Sequence, residues 1–267
     1  MSPLLSVYRA LFVANFQAAA QYRVQSVLWL LFAVIRPVVF LAAWSAAAEA
    51  QGGTIGDFSI GDFAGYYVCL TLVSQLTMSW TAYDFEMEIR QGKLSPKLLR
   101  PLHPLHYGVV ENIVYKVTTL PALLPALVLI AWTFQAHFQT QVWHAALFVP
   151  SVILAATLRF VFGWVLASLA FWTTRIHAIM HLYDRMTFLF AGQIAPLSLL
   201  PGPLGALAYA LPFGYMLWAP SEILRGGVSL EQAGFILAAQ SVWLIFSWVA
   251  FVIIWRVGVR QFSAVGA

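Results

Sequence analysis

His177, His181 and Asp184, in the run "HAIMHLYD", stand four and three residues apart on one face of a helix. That spacing suits a zinc ligand set. Ala178 stands where a zinc protease carries its glutamate, so no metal site is assigned. The competing reading is a polar entrance to a membrane helix. Gly92-Lys93 is the only Gly-Lys pair; Leu94 follows it and the upstream glycine of a phosphate loop is missing. No serine has a G-x-S-x-G setting, which argues against an intramembrane hydrolase. Cys69 is the single cysteine, so neither an intrachain disulfide nor a cysteine metal cluster can form. The chain therefore offers no catalytic residue and no ATP site of its own.

Two kinds of charge remain. Arg36 and Arg159 fall inside apolar runs, where a charge costs about 2.5 kcal/mol or more at mid-membrane. Each is expected to face inward and be paired, as a brace between helices or as a substrate contact; Pro37 frees a carbonyl that Arg36 can reach. The second kind is a basic, proline-bounded stretch, "EIRQGKLSPKLLRPLHPLHY", from Glu88 to Tyr107. "DFEMEIRQG" reads as a helix ended by Gly92. Ser95-Pro96 reads as the start of a second short helix, with Leu98, Leu99 and Leu102 on its apolar side and Lys97 and Arg100 exposed. A loop that only anchors topology needs charge. It does not need a capped amphipathic helix with three prolines, which points to a docking surface for a cytosolic partner.

The elements holding these residues lie in lipid. Of 267 residues, 61% are hydrophobic and 9% charged, and mean hydropathy is +0.82. Soluble domains carry about 25% charged residues. The net charge of +4 is too small and scattered for nucleic acid. The chain reads as one all-α membrane domain of six spans: 24–48, 63–83, 112–134, 145–172, 176–200 and 233–255. Residues 1–22 read as an interfacial helix, the alternative being a cytosolic extension of the first span. Residues 201–220 hold four prolines and three glycines, and read as a re-entrant hairpin before the sixth span rather than a seventh.

With both termini inside, the inner segments hold Arg9, Arg23, Arg90, Lys93, Lys97, Arg100, Lys116, Arg175, Arg185, Arg256 and Arg260. The outer segments hold Arg225 alone, so the opposite orientation is rejected. Most tryptophans fall near span ends, as in an aromatic belt. The second span differs, being polar and aromatic. Tyr67, Gln75, Ser79 and Tyr83, with Gln193 of the fifth span, read as the lining of a pathway for an amphipathic molecule.

This layout resembles the permease subunits of type-2 ATP-binding-cassette exporters across the whole chain. At residue level, "IRQGKLSPKLLRPLHP" is similar to one bacterial subfamily with an "I-x-x-G-x-L…LLRPL" run. The resemblance implies that residues 84–106 form a coupling segment, with ATPase contact through Glu86, Glu88, Arg90, Gly92, Lys93, Lys97, Leu98 and Arg100. It implies a second permease chain, identical or homologous, and soluble ATPase subunits that carry the ATP and magnesium. The first, second and fifth spans would line the path and the hairpin would form an outer gate. The expected place is the bacterial cytoplasmic membrane and the expected cargo a drug-like small molecule. A lipid or glycan exporter of the same type is an alternative. A stand-alone secondary transporter is less supported, because no internal repeat is visible and the second span has no acid.

Overall fold

The structure, a computed structural model, describes residues 3–21, 23–173 and 176–262, without the side chains of 3, 23–30, 81 and 90. Twelve α-helices follow one another among these residues. Helix α1 (Pro3–Gln21) lies against α6, and the Tyr8 hydroxyl meets His106 Nδ1 at 2.6 Å. Helix α2 (Arg23–Ala50) leads into a small hairpin of β1 (Thr54–Ile55) and β2 (Phe58–Ser59), with Thr54 opposite Ser59. Helix α3 (Ile60–Thr77) opens on a capping box. Ser59 Oγ accepts from the Asp62 N–H at 3.2 Å, and Asp62 accepts from the Ser59 N–H at 3.0 Å.

Helices α4 (Thr81–Arg90) and α5 (Leu94–Leu98) form the link to α6 (Leu105–Thr133). Helix α7 (Val142–Ser168) returns, and α8 (His177–Phe190) follows. Three short helices come next: α9 (Gly202–Ala210), α10 (Pro212–Met216) and α11 (Trp218–Arg225). Helix α12 (Leu230–Gln261) closes the chain and packs along α7.

Among the described residues, four segments are long and apolar enough to cross a membrane: Leu31–Ala50, Leu105–Thr133, Val142–Phe171 and Leu230–Gln261. The other two expected spans differ from the sequence reading. The second ends at Thr77 instead of residue 83, and α3 is buried along most of its length. Its polar side chains lowered the apolarity of the run while the surrounding helices covered it. The fifth stops at Phe190 instead of residue 200. A 14-residue helix rises about 21 Å, less than the hydrocarbon core of about 30 Å.

Gly192, at φ +81°, opens the break after α8, and a Cβ there would collide with the Tyr66 hydroxyl. Three donors hold the freed carbonyls. Tyr66 donates to Gly192 O at 2.6 Å, and Tyr67 and Trp44 donate to Ile194 O at 2.6 and 2.7 Å. Irregular backbone at membrane depth is tolerated only when protein covers it in this way. Tyr66→Phe should therefore lower thermal stability of the purified protein by about 1–3 kcal/mol, the cost of one buried acceptor left unmet. An unchanged melting midpoint would remove the staple from this account.

The segment from the break to α12 begins and ends at one end of the bundle. Near its start, Leu199 lies against Gly56; at its finish, Arg225 meets Asp62 at 3.7 Å. Between these points α10 reaches Gln240, which donates to Tyr215 O at 2.9 Å and to Ser151 O at 3.2 Å. Gln240 stands ten residues into α12, about 15 Å along its axis. The segment is built of three short helices, where the sequence suggested two.

Candidate functional site

The α4–α5 link stands at the opposite end from the β hairpin. Its first helix ends as the sequence implies. Gly92 takes φ +68°, the Lys93 N–H bonds Glu88 O at 2.8 Å and the Gly92 N–H bonds Ile89 O at 3.1 Å. This paired closure is a Schellman motif, and glycine removes the steric cost of the left-handed residue.

The link is wedged into the bundle on one side. Phe85, Ile89 and Leu94 are buried. Phe85 lies 5.0 Å from the Trp164 ring and 5.6 Å from that of Trp255, joining α4 to α7 and α12. Aromatic pairs at such separations add to the gain from apolar burial. On another side α4 is tied to α8. Tyr83 donates its hydroxyl to Asp184, and Glu86, itself buried, lies 3.4 Å from His177 Nε2. The two histidines and the aspartate that suggested zinc thus have separate work. Asp184 receives Tyr83, His177 faces Glu86, and His181 stacks near His177 with ring centroids 6.4 Å apart.

The remaining surface of the link differs in part from the sequence reading. Lys97 is half-buried: it pairs with Glu88 and sits 4.9 Å from the centre of the Tyr107 ring. Burial raises the Asp84 carboxyl above the usual carboxylate range, with Glu88 adding to this and Lys97 opposing it. The second helix begins at Leu94 with Lys93 as its cap, not at Pro96 with Ser95 as its cap. Leu94 and the half-buried Leu98 therefore form its inner side, while Leu99 is 89% exposed beside exposed Arg100. Lys93 is exposed as well, Gly92 lies at the turn, and the Arg90 side chain lies outside the described residues.

Four of the five residues read as pathway lining have internal partners. Tyr67 serves the break, and Gln75, 5% exposed, donates to Thr119 Oγ1 at 2.6 Å. Ser79 accepts from Asn112 at 3.3 Å, Tyr83 belongs to the tie with α8, and Gln193 is half-buried within the break. Arg159 donates to Thr77 Oγ1 at 3.1 Å and to Ser74 O at 3.4 Å, while Lys116 donates to Met78 O at 3.0 Å. Two cations thus meet the carbonyl end of α3, which favours positive charge. Arg159 braces α7 against α3.

Arg36 does otherwise. It is exposed on the single chain, its guanidinium 5.4 Å from the Phe188 ring. It stands about 20 Å along α2, and Phe188 about 16 Å along α8. His181, Leu182, Asp184 and Arg185 of α8 are also exposed. Hydrocarbon is a costly neighbour for such a stripe.

Sequence reasoning missed the anchor of the link and its tie to α8. The anchor had a signal, because Ala82, Phe85 and Ile89 recur at spacings of three and four. The tie joins residues about a hundred apart and left none. Compared with known proteins, the chain matches the family model for ABC-2 family transporter proteins over residues 30–266. No curated protein matches it.

Proposed function

The chain belongs to the ABC-2 transporter family, and on that premise we propose that it is the permease subunit of an ATP-driven exporter of amphipathic small molecules, powered by separate soluble ATPase subunits. It is a multi-pass membrane protein. Six crossings with both termini in the cytoplasm agree with the bias of its basic residues. The observation that carries the reading is the form of the α4–α5 link. One side is anchored in an aromatic cluster and tied to α8, and the other presents Leu99 and Arg100. Such a piece can pass a push from a docked ATPase to α8 as a rigid body.

The stripe formed by α8 and Arg36 is the reading's candidate for the transport path. A charge at that depth calls for water or protein beside it, and a second permease chain facing this stripe supplies both. Cysteine at Leu182, in a Cys69→Ala background, should cross-link to a second permease-sized chain. A chain that stays monomeric in membranes would remove the pairing.

The test of function is purification of tagged protein from native membranes. It should bring with it an ATPase carrying a phosphate loop, and ATP hydrolysis should rise with an exported amphipathic compound. Correctly inserted protein with no such ATPase, but with ion-driven uptake in vesicles, would replace this reading by secondary transport.

A further inference from the structure

A cavity lies at the end of the bundle opposite the α4–α5 link. Its volume is about 970 Å³, within the usual range for small-molecule sites. The β hairpin, the start of α3, α9 to α11 and the first turns of α12 surround it.

Its charge is one-sided. Asp57, Asp62, Glu222 and Glu231 line it, and among the described lining residues Arg225 is the only base. That base is already engaged. Its Nη2 and Nε reach Glu222 Oε2 at 2.7 and 3.2 Å, its Nη1 lies 3.7 Å from Asp62, and its guanidinium stands 4.8 Å from the Phe58 ring centre. The turn after α11 fixes this arrangement. Gly226 takes φ +86°, and the Gly226 and Gly227 N–H groups both bond Glu222 O, at 3.0 and 2.9 Å. A Cβ on Gly227 would strike Glu222 and Arg225, so the pair fills the space left by that glycine.

Glu222 is 3% exposed, and its second oxygen, Oε1, is buried with no hydrogen-bond partner. An unmet buried acceptor costs about 1–3 kcal/mol, more when charged. Asp57 and Glu231 are exposed at the rim. Tyr209, Tyr215, Trp218 and Phe235 add aromatic surface, with Tyr209 and Trp218 edge to face at 5.2 Å. Excess carboxylate beside aromatic rings attracts a cation with an apolar body and repels an anion.

We infer that this cavity binds organic cations with aromatic bodies, as a release-side site of the proposed transport reaction. The inference rests on the permease reading for its place in transport. The binding site itself stands on the cavity, its charge and the unmet Glu222 oxygen.

The test is equilibrium binding to purified permease in lipid nanodiscs, without ATPase. The probes are tetraphenylphosphonium and tetraphenylborate, equal in shape and opposite in charge. Saturable phosphonium binding is expected, at least about tenfold tighter than any saturable borate binding. The rim variant Asp57→Asn with Glu231→Gln, which touches no internal ion pair, should weaken phosphonium binding about threefold to tenfold. Glu222→Gln, checked for folding by its melting midpoint, should weaken it further. Equal binding of the two probes, or wild-type affinity in the rim variant, overturns the inference. ATPase co-purification is scored separately: its loss with phosphonium binding intact would count against the permease reading and leave the site standing.

Discussion

Leu99→Asp combined with Arg100→Glu is expected to release the ATPase while leaving the permease folded and inserted. Leu99 makes almost no contact within the chain, being 89% exposed, and Arg100 is exposed beside it. The substitutions should therefore cost the fold little. Burial of a leucine at an interface is worth about 2 kcal/mol, close to thirtyfold in affinity. Reversed charge at Arg100 adds repulsion wherever the partner presents acid. Co-purified ATPase should fall at least about thirtyfold in the double variant. If Leu99 and Arg100 only anchor topology, the partner remains and orientation alone changes.

Tyr83→Phe combined with His177→Ala should give a different failure. Both residues lie in the tie between α4 and α8, away from the exposed Leu99–Arg100 face. The ATPase should stay bound and hydrolyse ATP, yet transport per ATP should fall by about tenfold, within the usual range of coupling free energies. Tyr83→Phe alone should give a smaller loss. Docking and transmission are separable on this account, so a double variant that transports normally would show that motion reaches the spans through the Phe85–Trp164–Trp255 contacts instead.

Local features of the chain were legible in its sequence and long-range ones were not. Gly92 announced the end of α4 because a left-handed residue after a helix favours glycine. The prolines and glycines of 201–220 announced broken backbone, and three short helices lie there. Leu99 was misread because a longer helix was expected; with only Leu94–Leu98 helical, Leu99 leaves the apolar side. The polar side chains of the second span were read as facing a cavity. Instead Tyr66 and Tyr67 hold carbonyls more than a hundred residues away, freed where α8 stops. The same distance hid the pairing of Arg225 with Asp62; Glu222, three residues before the arginine, completes the ion cluster. Hydrophobic periodicity reports which face of a helix is buried and is silent about which acceptor a polar group will find.

If the ATPase sits on the α4–α5 link, site-specific cross-linking will find it there. Single cysteines at Leu99 and at Thr54, at opposite ends of the bundle, would be introduced into a Cys69→Ala chain and expressed with its ATPase. Cross-linking at residue 99, altered by ATP, with none at residue 54, is the predicted result. An intact, ATP-hydrolysing complex that cross-links at residue 54, or at neither position, would contradict the account.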